Sequence, residues 1–472
     1  MVRLALAQRA AWLRARHVVK TFLSGSNVGV LQVGRVLKAF DGLPFHSDAA
    51  EAHEAWLPSA AELEAEGCGL RARLREVPGG ESLISQLTDV LSEEMAALSS
   101  LEEEDAPSEV RLVEGTDGLQ SLVWRGGGEQ AREAGGDSFE VSGRRLAWLR
   151  RQHAQVVGGR SAEACADEAA LIADEPLESL FRKRTFQMLA RYDGMGGGSA
   201  GSGNHAAVPP EVFEVFEDWA QVPRGACIEC FASPLNHRVA DDTEAAVKRN
   251  PGGKKGSKKQ QQLRAQSQPP SPPPASPPPA GPARFFSAFP VTDAPFGSRG
   301  SFLAEDSLSS SLLSEGGHTL LLFNPPFFAR HMDQIAPRLD RFLETLTEQE
   351  DIADQSAAPP PRVTALVVVP AMGERRSYEV PHLVELMTSP FFRAQLTVRA
   401  GEHAYCHGLA HKRTHSPSTR HISGFDTSIF LFSNLSDPPA RKRNFETLLK
   451  KVSAAFRSTS SAARIRISNH MF

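Results

Sequence analysis

Asn324-Pro325-Pro326-Phe327 combines residue types that can activate a weak nucleophile. The exocyclic amino nitrogen of a nucleobase shares its lone pair with the ring, so it attacks an electrophile only once acceptors draw its hydrogens out of the ring plane. The Asn324 side-chain oxygen and the Pro325 carbonyl supply two acceptors, and the paired prolines stiffen the backbone that carries them. Phe327 offers a face for a base removed from its stack. No strong base is needed, because the proton leaves after the new bond to nitrogen has formed. Read without its surroundings, the tetrapeptide is equally a turn that ends a strand.

The surroundings have to place these groups. Leu320 to Phe323, bounded upstream by Gly316 and Gly317, reads as a buried strand that the prolines stop. Ala226 to Phe231 reads as a strand nearer the N-terminus with a loop over Ala232 to Asn236, and Phe285 to Phe289 as the next. Further strands are expected over Val363 to Pro370, Gln395 to Ala400 and Thr427 to Phe432. A helix with Met332, Ile335, Leu339, Phe342, Leu343 and Leu346 on one stripe comes after the proline turn, and a tail helix carries Phe445, Leu448, Leu449, Val452 and Phe456. At the carboxyl end of a central strand in such an α/β sheet, a loop lies where ligands are bound.

Three segments in order, Cys230-Phe231-Ala232-Ser233-Pro234-Leu235-Asn236, Phe286 to Gly300 (FSAFPVTDAPFGSRG) and Asn324-Pro325-Pro326-Phe327, resemble the phosphorylated-CTD-interacting-factor family of cap-specific adenosine N6-methyltransferases. The resemblance covers roughly 207–436 and, more weakly, Leu177 to Tyr192. It implies an α/β fold with a class I Rossmann-like methyltransferase domain behind an N-terminal helical domain. It also implies S-adenosylmethionine as cofactor and, as substrate, N6 of the 2′-O-methyladenosine next to the 7-methylguanosine cap of mRNA. Two alternatives stay open: N6 methylation of internal adenine in RNA or DNA, and an inactive RNA-binding relative. Asn324, Pro325, Pro326 and Phe327 take the catalytic positions. Ser233, Pro234, Asn236, Asp293, Phe296, Gly297 and Ser298 take cofactor-binding ones, with Asp293 accepting from a ribose or amino group and Phe296 covering the adenine. Ser233 and Asn236 have a plainer role available, capping the helix next in the chain. Arg299, Lys412 and Arg413 are candidate RNA contacts. The chemistry needs no metal. One departure stands out: after Pro370 the family continues with an acid and a tryptophan, whereas this chain has Ala371-Met372.

Length and charge frame these motifs. A chain of 472 residues exceeds one compact core. The expected division is a helical domain over 1–193 that offers a cap- or RNA-binding platform, a Gly/Ser-rich linker over 194–206, the methyltransferase domain over 207–436 and a basic helical tail over 437–472. A basic, then proline-rich insertion over 239–283 interrupts the methyltransferase domain; it is too poor in apolar residues to fold. The helical domain shows apolar stripes at Trp12, Leu13, Val19, Phe22 and Leu23, at Leu83 to Leu98, and at Leu177 to Tyr192. Arg144 to His153 sets a basic face beside an apolar one. The formal net charge of −4 gives no global sign of nucleic-acid binding, yet the first forty residues hold no Asp or Glu. Five scattered cysteines exclude a disulfide framework, and the lone Cys227-Ile228-Glu229-Cys230 lacks a second ligand pair for zinc. No apolar run is long enough to cross a bilayer, so no membrane association is expected. A nuclear location is expected, with cytoplasmic or organellar ones as alternatives. Trp12, Trp56, Trp124, Trp148 and Trp219 offer no pair of WW-domain type, and binding to the RNA polymerase II tail is therefore not expected.

Overall fold

The computed structural model describes residues 2–26, 28, 36–37, 40, 63, 69–99, 109–115, 119–125, 138–161, 167–193, 206–238, 285–287, 289–303, 317–326, 329–352, 362–371, 381–406, 420–435 and 444–458. Phe327, Met372, Lys412, Arg413 and the expected insertion and linker lie outside these, save Ala206 and 238 at their borders.

The central feature is a six-stranded mixed sheet. Its strands are β4 (Ile228–Ala232), β5 (Phe285–Ser287), β6 (His318–Phe323), β7 (Arg362–Ala371), β8 (Phe392–Val398) and β11 (Asp426–Ser433), in the spatial order β5-β4-β6-β7-β11-β8. The first four in space pair in parallel, and β11 runs antiparallel between β7 and β8. From β4 the chain goes outward to β5, then returns past β4 to β6. The direction of progression therefore reverses between β4 and β6, whose carboxyl ends border the crevice where α/β sheets bind ligands.

Alternation sorts the side chains to two layers. Leu321, Phe323, Val363, Ala365, Val367, Val369, Phe430 and Phe432 join a core with the helix α8 (Ala329–Ile352) and α9 (Pro381–Thr388). Leu320, Leu322, Leu366, Val368, Ile429 and Leu431 face α7 (Pro210–Ala220) and a tail helix over 444–458, α10. Every apolar residue expected on the α8 and α10 stripes is buried. The tail helix is accordingly a cover of the sheet, not an appendage.

The N-terminal part departs from an all-helical layout. It contains α1 (Val2–Gly25), α2 (Gly69–Arg75), α3 (Gly80–Ser99), α4 (Gly143–Val156), α5 (Glu168–Ala173) and α6 (Glu175–Tyr192). Between α3 and α4 lies a three-stranded antiparallel sheet, β1 (Glu109–Glu114), β2 (Leu119–Arg125) and β3 (Ser138–Ser142). One side of this sheet is buried, with Val110, Leu122, Phe139 and Val141 turned into the core shared with Trp12, Leu87 and Phe186. Leu13, expected on the α1 stripe, is exposed instead.

Two further boundaries differ. The strand expected to run to Phe289 stops at Ser287, because Pro290 opens the one-turn helix Pro290–Asp293. The strand expected over Gln395 to Ala400 begins three residues earlier, and a tight turn with Gly401 at φ 76° closes it. A small two-stranded ladder, β9 (Ala404–Cys406) with β10 (Arg420–Ile422), stands beside the main sheet.

Candidate active site

Asn324 is the first residue beyond β6. Its Nδ2 donates to the Ala206 carbonyl at 2.6 Å, while Oδ1 is buried and has no hydrogen-bond partner among the described residues. A buried acceptor left unpaired costs about 1–3 kcal/mol, a cost that the rest of the fold has to offset. The Pro325 ring is buried and Pro326 half-buried beside it. These are the acceptor types that the sequence assigned to an amino group.

Ser233 to Asn236 occupies the carboxyl end of the neighbouring β4. The Asn236 Oδ1 accepts from the Ser233 N–H at 2.7 Å and its hydroxyl at 2.9 Å, and the Ser233 Oγ accepts from the Asn236 N–H at 3.2 Å. The pair thus closes its own turn over 233–236, which is neither of the two expected roles. Asn236 Nδ2 keeps no hydrogen bond among the described residues. Pro234 is buried, and its carbonyl accepts from Arg145 Nη1 at 3.3 Å; the same nitrogen reaches the His237 carbonyl at 2.9 Å. Arg145 lies on α4, so part of the basic face expected to meet phosphates clamps this loop instead. Arg150 likewise turns inward, paired with Glu178 of α6.

Beneath the loop, Glu229 of β4 lies 2.6 Å from His237 Nδ1 and accepts from the Arg238 N–H at 2.9 Å. Burial pushes the Glu229 pKa up, but His237 and Arg238 outweigh it and hold the carboxyl below its ordinary value. Cys227 and Cys230 project to opposite cores, one among Val212 and Phe216, the other among Phe286 and Phe323, so they cannot share an ion.

The third group lies just past β5. Asp293 is fully buried; its Oδ2 accepts from the Tyr192 hydroxyl of α6 at 2.6 Å, and its Oδ1 has no hydrogen-bond partner among the described residues. Burial raises its pKa to about 7, against smaller opposing effects from Tyr192, Ser287 and Arg191. Arg191 also bonds Thr292 and lies over the Phe289 ring at 5.5 Å. Because the folded-state value exceeds the ordinary 3.8, the native protein holds a proton that the unfolded chain releases. Stability therefore declines as pH rises from about 4 to about 7 and levels off above. In Asp293→Asn that decline is expected to flatten, read as urea midpoints between pH 5 and pH 8; an unchanged slope contradicts the assignment.

Phe296 corrects an expectation. Expected to cover the adenine, it is instead wholly buried in the N-terminal core, 6.0 Å from the His153 ring, and has no face left for a base. Gly297 comes next at φ 100°, in the left-handed region, which allows the tight reversal after Phe296. Ser298 is also engaged: its hydroxyl lies 2.8 Å from the Ser287 hydroxyl, and Arg299 N and Gly300 O bond back to β5. The side chain of Arg299 is exposed. On α6, Arg184 is half-buried, 3.4 Å from His153 Nε2, with no carboxylate beside it among the described residues. Burial, helped by Arg184, pushes His153 down to about 4, which keeps it neutral.

Sequence reasoning missed the residues that reach these motifs from far along the chain: Arg145, Arg191, Tyr192 and Ala206. The weak resemblance over Leu177 to Tyr192 was the one available signal, and no local spacing pairs it with Asp293.

A family model described as "Phosphorylated CTD interacting factor 1 WW domain" matches residues 170–243 and 273–408. Over these residues the chain matches the phosphorylated-CTD-interacting-factor family. A Homo sapiens protein named mRNA (2'-O-methyladenosine-N(6)-)-methyltransferase is 26% identical over 298 residues, 63% of this chain and 31% of that protein. A Mus musculus protein of the same name is 27% identical over 250 residues, 52% of this chain and 24% of that protein. The chain thus spans about a third or less of these relatives of the family. The match covers α6, α7 and the strands from β4 to β9, and so unites Tyr192, Asp293 and Asn324. It also overturns the reading that nothing of WW-domain type is present, and with it the argument raised against binding of the polymerase tail. The matched residues contain a single tryptophan, Trp219, so a search by tryptophan pairs passes over them.

Proposed function

We propose that this protein transfers a methyl group from S-adenosylmethionine to N6 of adenosine, at the 2′-O-methyladenosine adjacent to the 7-methylguanosine cap of mRNA. The observation that carries the reading is the Asn324 amide at the strand-order reversal, with its nitrogen fixed and its buried oxygen unpaired. The name printed for both relatives supports the reaction and the position methylated. The sheet order, with its reversal between β4 and β6, supports a class I Rossmann-like fold for the residues from 207 to 436. In this reading residues 1–193 serve the cap and RNA, 194–206 link the parts, 239–283 form an insertion and 437–472 a tail. Arg184, without a carboxylate partner among the described residues, supports a phosphate-facing surface there. Nuclear action goes with a capped-transcript substrate.

The residues present fit the cofactor. Asp293 has one buried, unpaired carboxylate oxygen that would accept from a hydroxyl or amino group, and the Asn236 amide N–H2 would donate to a carboxylate. When bound, the sulfonium supplies an electrophilic methyl. Asn324 Oδ1 and the Pro325 carbonyl accept the two N6 hydrogens, which turns the nitrogen lone pair out of conjugation and toward the methyl. Phe327 supports the base. Nearly all of the catalysis is positioning and electrostatics.

Substrate class is tested by comparing capped and uncapped oligonucleotides that both begin with 2′-O-methyladenosine. At least tenfold higher kcat/KM on the capped one is expected. Equal rates favour internal adenine, to which Ala371-Met372 at the end of β7 also lends itself. No methylation of either, together with no binding of S-adenosylmethionine, overturns the enzymatic reading.

A further inference from the structure

An asparagine amide has nearly the same shape in its two flipped states, but one presents an acceptor and the other a donor. A donor facing the adenine amine would repel it, so the reaction proposed above requires something to choose the flip. Asn324 Nδ2 lies 2.6 Å from the Ala206 carbonyl, which can only accept. Turning the amide over would set oxygen against oxygen and forfeit this bond.

The carbonyl is held from both sides. Ala207 next to it exchanges two backbone bonds with Cys406, N–H to O at 3.1 Å and O to N–H at 2.8 Å. Cys406 ends β9, and β9 is tied to the start of β11 through Thr427, whose hydroxyl lies 2.9 Å from the Tyr405 hydroxyl and 2.8 Å from His403 Nε2. His403 Nδ1 in turn lies 3.0 Å from the Arg399 carbonyl. Arg420 of β10 bonds Glu211 in the first turn of α7, just after the strap.

We propose that the strap Ala206-Ala207, fastened to Cys406, is the positioning device that fixes which atom of the Asn324 amide faces the substrate amine. It rests on the functional reading above. The strap joins the edge of β9 to the catalytic turn, so the β9–β10 ladder belongs to the working parts of the site.

The test is Asn324→Asp. A carboxylate retains acceptors for the amine but faces the Ala206 carbonyl with no hydrogen to give. A neutral carboxylic acid restores the pattern, donating to Ala206 and accepting with its other oxygen. Activity at pH 8 is expected to fall at least a hundredfold, then to rise at least tenfold toward pH 5.5, with uptake of one proton, relative to the parent at each pH. Charged groups on the packed elements include the pairs Glu211 with Arg420, Glu217 with Arg238, Glu229 with His237 and Glu402 with Arg457, and His318 of β6, 2.8 Å from the Thr364 hydroxyl, is pushed down to about 4 by burial. Asp426 accepts from the Ala400 N–H, and burial pushes the pKa of His403 down. Parental activity at pH 8, a ratio independent of pH, or inactivity throughout overturns the proposal. Failure of the functional reading looks different, since the parent itself would then methylate neither oligonucleotide. Should the aspartate variant not fold, Ala207→Pro removes the N–H bonded to Cys406; kcat at least tenfold lower with cofactor affinity unchanged is expected, and an unchanged kcat overturns the proposal.

Discussion

Asn324→Ala is expected to lower kcat by about 10²- to 10³-fold, the scale on which removal of one preorganised polar group at a reacting centre is felt. Two consequences separate this from general damage. The side chain is half-buried and makes one hydrogen bond among the described residues, to Ala206, so folding stability should shift little, and the lost orphan acceptor offsets part of that bond. Affinity for S-adenosylmethionine should stay within about twofold of the parent, because the residues proposed to hold it come after β4 and β5 while Asn324 comes after β6. A parental kcat eliminates the amide as the group that activates the amine. A large loss of cofactor affinity moves Asn324 from catalysis to binding.

Glu178→Ala should produce the largest loss of stability. Glu178 is 1% exposed and accepts from Arg150 Nε at 2.8 Å and Nη2 at 3.2 Å, and from Arg182 Nε at 2.9 Å. Arg150 is itself 4% exposed, with its guanidinium 5.1 Å from the Phe181 ring. Removing the acid leaves a buried guanidinium without its counter-charge, a change of roughly 3–5 kcal/mol. A fall in Tm on the order of 10 °C is the expected readout. Replacing both partners, Glu178→Leu with Arg150→Met, should recover most of it, because an apolar pair of similar volume leaves no charge stranded. The effect should reach the site as well. This pair joins α4 to α6, and those helices carry Arg145 and Tyr192 to the loops after β4 and β5. Glu178→Ala with a parental Tm shows that the pair contributes nothing to the joint.

The parts of the fold that the sequence disclosed are those whose signal is local. Val363 to Val369 alternates between two apolar cores, a run that only a strand covered on both faces can use. Met332 to Leu346 repeats at helical spacing, and the paired prolines after Phe323 can only end the strand. The reversal at Asn324 was legible for the same reason. By contrast, β1 and β2 are short, and the alternation of Glu109 to Leu112 breaks at Val113, so they offer little to set against the strong helical stripes around them. Phe289 continued an apolar run, and the proline after it decided for helix.

The site was legible in its motifs and not in its contacts. Asn324 meets Ala206 across 118 residues and Tyr192 meets Asp293 across 101, separations that no spacing rule spans. Phe296 shows the converse error. An aromatic beside a glycine turn suits a cofactor's adenine or a protein core equally well, and only the packing of α4 against the turn assigns it to the core. Arg145 and Arg150 looked like surface charge because nothing in the stretch Arg144 to His153 reveals that Glu178 and the loop carbonyls will face it.

The proposed reaction stands or falls on one assay. The full chain is incubated with S-adenosylmethionine bearing a labelled methyl and with capped RNA that begins with 2′-O-methyladenosine, and the digested nucleosides are read by mass spectrometry. Label in N6,2′-O-dimethyladenosine is expected from the parent and not from Asn324→Ala. Label on another atom or another nucleoside, or equal label from the two proteins, would contradict the proposed transfer.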